Sequence, residues 1–120
     1  MKTTNQQFNY FKERVNYWLK EFMINDFNIR FAHELMKSKF NAKIIRRSRS
    51  VAVILNKEWQ SIYTPLNDYE LDRTAKHEVI HIMISKIVDF NSENTDEKDE
   101  KFLRELGEEL TNKLNNLIKE

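Results

Sequence analysis

The sequence predicts an α+β fold: an N-terminal helix, a small sheet of about three strands, and then two helices. Three observations carry that prediction. Apolar residues recur at helical spacing near the start of the chain, alternate with polar ones through its middle, and return to helical spacing over its second half. At 120 residues and 14.6 kDa the chain is sized for one domain over 1–120, large enough for a real core and too small for a separate substrate-binding domain.

Over residues 6–23, Phe8, Phe11, Val15, Trp18, Leu19 and Phe22 form a stripe with Lys12, Glu13, Lys20 and Glu21 between them. This is an amphipathic helix whose apolar face needs a partner surface. A sheet supplies one. Phe27, Ile29 and Phe31 alternate with Asn28 and Arg30, and residues 41–46 and 50–55 read as a second extended pair. The intervening Arg46-Arg47-Ser48-Arg49-Ser50 reads as a hairpin tip, in a chain whose single Gly and single Pro leave few turn markers.

Asn67, three residues before Glu70, resembles a capping box. It opens a helix through Ala75, Val79, Ile80, Ile82, Met83, Ile84, Ile87 and Val88, apolar nearly all round beyond His77 and therefore expected as the buried central helix. Residues 89–101 are dense in Ser, Asn, Asp, Glu and Lys and read as a solvated connection or the fraying start of the next helix. Phe102, Leu103, Leu106, Leu110, Leu114, Leu117 and Ile118 stripe that last helix.

Lys plus Arg number 20 against 19 Asp plus Glu, so bulk charge favours neither nucleic acid nor an anionic membrane as partner. The only basic patch is Lys43, Arg46, Arg47 and Arg49. Without an interleaved aromatic platform it reads as a solvated turn, with nucleic-acid contact as the alternative. Residues 1–7 are polar, without the apolar core of a secretory signal, and no apolar run is long enough to span a bilayer. The expectation is a soluble, cytoplasmic protein.

The absence of cysteine excludes disulfides and thiolate metal sites, which leaves His and carboxylate as metal ligands. Against that background His77-Glu78-Val79-Ile80-His81 is the most informative segment of the chain. Histidines at i and i+4 lie one above the other on a helical face and can reach one Zn²⁺, while the glutamate beside the first can take a proton from a metal-activated water. A catalytic zinc site takes three protein ligands and leaves the fourth position open, so a third must come from elsewhere. His33 lies in His33-Glu34-Leu35-Met36-Lys37, which imitates the motif but ends in lysine and belongs to a strand end. Carboxylates on the last helix are better placed, because its leucine face must pack near the central helix. The candidates are Glu105, Glu108 and Glu109, of which Glu109 lies nearest the flank of that face. Trp59, Tyr63 and Tyr69 either line a cleft or pack around the Pro65 turn, and the sequence singles out no oxyanion donor among Tyr63, Tyr69 and His33.

The order of an amphipathic helix, a small sheet, an HExxH helix and a following glutamate-bearing helix resembles the gluzincin metallopeptidases in minimal form. The likeness is greatest to small metallopeptidase-like proteins of bacteriophage genomes. Glu108-Glu109-Leu110-Thr111-Asn112-Lys113-Leu114 is similar to that family's Glu-x-aliphatic-x-x-x-Leu pattern, and residues 42–55 resemble its paired strands. The resemblance implies a minimal zincin-like domain and a zinc-dependent peptidase. Its ligands would be His77, His81 and Glu108, its base Glu78, its cofactor Zn²⁺ and its substrate a protein or peptide, which could add to an exposed sheet edge. It also implies an acid or amide four residues after the third ligand, bracing a ligand histidine. Glu108 with Asn112 fits that relation, and so does Glu105 with Glu109 one turn earlier. The rival expectation is a non-catalytic accessory protein on the same fold that grips a host protein or nucleic acid through the Arg46–Arg49 hairpin. The intact Glu78 speaks against it.

Overall fold

The structure is a computed structural model that describes residues 1–37, 39–62 and 64–92, the last six of these by backbone alone. Helix α1 (Asn5–Glu21) starts at Thr4, whose Oγ1 accepts from the Gln7 N–H at 3.1 Å while the Gln7 carboxamide accepts from the Thr4 N–H at 2.8 Å. That reciprocal pair is a capping box, and it sets the helix start one residue before the apolar periodicity does. The helix stops in a Schellman turn. Ile24 N–H donates to the Leu19 carbonyl at 2.8 Å and Met23 N–H to that of Lys20 at 3.0 Å, with Met23 in the left-handed region at φ 54°.

Strands β1 (Asn28–Glu34), β2 (Ala42–Arg47) and β3 (Ser50–Asn56) form a mixed sheet in the order β1-β3-β2. β2 and β3 are the antiparallel hairpin expected, its tip narrowed to Ser48 and Arg49, with Ser48 at φ 58°. β1 pairs in parallel with β3. Ile29, Phe31 and His33 lie opposite Val51, Val53 and Leu55, which in turn lie opposite Arg46, Ile44 and Ala42, so one sheet face carries all nine. Period two makes this face the one that meets the helices.

Helix α2 (Asp68–Ser92) begins where Asn67 Oδ1 accepts from the Glu70 N–H at 2.8 Å, the cap expected from the sequence. Leu71, Ala75, Val79 and Ile82 recur along one side of it and are fully buried against Phe11, Val15, Trp18 and Leu19 of α1 and Val51, Val53 and Leu55 of β3. Burial of each large side chain in this cluster contributes about 1.5–3 kcal/mol. A polar seam fixes the helix pair: Asp72 accepts from Trp18 Nε1 at 2.8 Å and from Arg14, while Lys76 lies 5.4 Å from the Trp18 ring centre. The architecture is therefore α+β with helices flanking a small mixed sheet, as the sequence predicts. The last helix expected over 102–118, with Glu105, Glu108, Glu109 and Asn112, lies outside the described residues. Among those described, no helix is long and apolar enough to cross a membrane.

Candidate metal centre

With Leu71, Ala75, Val79 and Ile82 turned to the core, helical periodicity turns Glu70, Arg73, Thr74, His77, Glu78 and His81 to a second side of α2. Five of these six line a cleft of about 380 Å³, and its opposite wall is Lys39, Phe40, Asn41 and Ala42 at the start of β2, with Thr64 beside them. Among the described residues β2 is an edge strand, so the cleft runs between the HExxH helix and the end of that sheet edge.

His77 and His81 are half-buried, and their Nε2 atoms stand 3.1 Å apart with the rings inclined at 73°. Two imidazole nitrogens on a tetrahedral zinc, each at about 2.0–2.1 Å, are separated by about 3.3 Å. The observed separation lies within a few tenths of an ångström of that spacing, and it is also the length of an ordinary hydrogen bond between the two rings. Glu78 follows in sequence and is 5% exposed, and it lines the cleft beside His77. The structure thus brings together three of the residues singled out by sequence. Among the described residues no group of three or more His, Cys, Asp or Glu gathers to hold a metal.

His33 is engaged elsewhere. Its Nε2 lies 2.6 Å from Thr3 Oγ1, and that hydroxyl donates to the Asn56 carbonyl at 2.9 Å. The single hydroxyl proton is therefore committed, and His33 Nε2 must be the donor to Thr3. The ring also stacks on Phe8 at 4.8 Å between centroids, which fixes it as a strand-end residue of the α1 interface. Burial, and then the positive charge of Lys57, hold its pKa below the ordinary histidine value.

Trp59 is 1% exposed and its Nε1 donates to the Thr64 carbonyl at 2.8 Å, so it packs and braces a cleft residue without lining the cleft. Tyr69 is largely exposed and does not line it either, and Tyr63 lies outside the described residues. The basic cluster is divided by strand alternation. Arg46 turns to the helix side, donating to Ser48 O at 2.9 Å and Ser85 Oγ at 3.2 Å and covering the Phe27 ring, while Lys43 and Arg47 take the other face.

Sequence reasoning missed Arg73, Thr74, Lys39, Phe40 and Asn41 as cleft residues. Arg73 and Thr74 precede His77 by four and three residues, the spacing that marks a shared helical face. The other three carry no such signal.

No family model and no curated protein matches the chain. Among solved structures it is similar to the crystal structure of the metallopeptidase zymogen of Methanocaldococcus jannaschii jannalysin, with a TM-score of 0.46 and 19% sequence identity, over 78% of this chain and 83% of that one. A likeness of that degree carries no functional argument.

Proposed function

We propose that the protein is a zinc-dependent metallopeptidase. The observation that supports this best is the 3.1 Å approach of His77 Nε2 to His81 Nε2 on a helix side that carries buried Glu78 and faces a cleft. His77 and His81 would hold the ion together with Glu108, whose choice rests on the gluzincin-like pattern from Glu108 to Leu114. When bound, Zn²⁺ acidifies a water and polarises a carbonyl.

Glu78 is the proton acceptor in this reading: its carboxylate takes a proton from water as that water attacks the peptide carbonyl, and returns it to the leaving amine. Its burial keeps bulk water from competing for the same oxygen atoms. The wall of Lys39, Phe40, Asn41 and Ala42 lies at the start of an edge strand, where an extended peptide can hydrogen-bond to backbone and reach the α2 side. The class of substrate is therefore a protein or peptide in extended conformation.

The test is hydrolysis of a quenched fluorogenic unfolded casein by the purified protein, before and after dialysis against a chelator and again after zinc is restored. Cleavage that disappears with the chelator and returns with zinc supports the proposal. Absence of cleavage by zinc-loaded protein on a range of unfolded substrates contradicts it.

A further inference from the structure

Asn56, the last residue of β3, is fully buried, and its carboxamide makes four hydrogen bonds. Oδ1 accepts from the Met36 and Glu58 N–H groups, each at 3.0 Å, and Nδ2 donates to the Phe40 carbonyl at 2.9 Å and the Met36 carbonyl at 3.3 Å. Both donors and both acceptor sites are used, which is the full capacity of an asparagine side chain. Its backbone N–H donates to the Asn41 carbonyl at 2.8 Å as well.

Three of these five bonds go to the connection between β1 and β2 at Met36 and Phe40, and a fourth holds Asn41 where that connection enters β2. The same segment supplies Lys39, Phe40 and Asn41 to the cleft wall. Gln60 N–H donates to Asn41 Oδ1 at 2.7 Å, so the wall is tied at a second point just beyond β3. Met36 is buried, whereas Lys39 and Phe40, the latter 63% exposed, present their side chains outward from a backbone that is locked inward. A polar hub with every bond made holds one geometry, and it holds it where the cleft is shaped.

We propose that Asn56 is a positioning residue that sets the peptide-binding wall of the cleft through Met36, Phe40 and Asn41. This rests on the peptidase reading only in taking an extended peptide as the occupant.

Binding is measured in zinc-loaded protein carrying Glu78→Gln, which cannot turn over, by anisotropy of a fluorescein-labelled unfolded casein fragment. Asn56→Asp keeps the volume and the acceptors but sets a carboxylate oxygen against the Phe40 and Met36 carbonyls. It should weaken peptide binding about tenfold or more, the scale of losing a buried hydrogen bond, while zinc affinity is unchanged. Lys39→Ala with Phe40→Ala removes exposed side chains of the same wall without touching the core, and should weaken binding even if Asn56→Asp does not fold. Val15→Ala, a core truncation at a residue that does not line the cleft, should leave it unaltered. Peptide affinity indifferent to both wall changes overturns the proposal, as does a loss of zinc affinity in Asn56→Asp equal to its loss of peptide affinity. If the wild type hydrolyses nothing but the wall variants still lose the peptide, the peptidase reading falls and the positioning role stands. If the wild type hydrolyses and the wall variants bind normally, the positioning role falls alone.

Discussion

His77 Nε2 and His81 Nε2 face each other at 3.1 Å on adjacent turns of α2. At that distance the two nitrogens cannot both carry a proton: one donates to the other, or both lone pairs meet a cation. Backbone periodicity fixes the geometry before any ion binds, because residues four apart on a helix already overlie. The cost of ordering the two rings is thus met largely by the packing of Leu71, Ala75, Val79 and Ile82 on the opposite side.

Glu78→Gln is expected to fold and to bind zinc as wild type does, since it keeps shape and leaves the histidines untouched. Cleavage should fall by about 10²–10⁴-fold, the usual scale of general-base catalysis. Single-turnover kinetics on the fluorogenic casein check this, and a variant retaining most of its rate removes Glu78 from the chemistry.

For the third ligand, alanine variants at Glu105, Glu108 and Glu109 separate the registers. Glu108→Ala should lower zinc affinity by at least about tenfold, with the other two near wild type. Competition with a chromophoric chelator reads this directly, and a large loss at Glu105 or Glu109 with Glu108→Ala unaffected moves the site by a turn or to the neighbouring position.

His33 makes stability depend on pH. Its folded-state pKa lies below the ordinary value of 6.5, so below that pH the unfolded chain binds the proton more readily than the folded protein. The stability it contributes is full above the unfolded pKa, is lost as pH falls through it, and levels off once the folded ring protonates too. His33→Gln keeps an N–H toward Thr3 and cannot titrate. Between about pH 7 and about pH 5, thermal unfolding of wild type should therefore weaken more than that of His33→Gln. Parallel curves would contradict this.

Met23 occupies the left-handed position that ends α1, at φ 54° and 84% exposed. A side chain there carries backbone strain and little packing. Met23→Gly should stabilise the fold by about 1 kcal/mol, raising the urea midpoint at constant m-value.

The legible parts of this molecule are those where one residue type has one use. Phe11, Val15, Trp18 and Leu19 announce a helix face, Asn67 announces the cap of α2, and His77-Glu78-x-x-His81 announces a shared side of α2. Alternation at Phe27, Ile29 and Phe31 reveals a strand and its faces but not its neighbour, so the parallel pairing of β1 with β3 is not readable from it. Met23 and Ser48 take positive φ without the glycine that would have marked them. Asn56 follows the strand expected over 50–55, and only the fold shows its carboxamide joining the β1–β2 connection to Glu58. Arg46 belongs by composition to a basic tip and by strand parity to the helix side.

Metal content measured by plasma mass spectrometry on protein purified without added metal decides whether His77 and His81 hold zinc. Wild type should carry one equivalent of zinc, His77→Ala and His81→Ala should carry far less, and chelator should lower the wild-type melting temperature alone. Wild-type protein without zinc, whose melting temperature ignores both added zinc and chelator, would contradict the account.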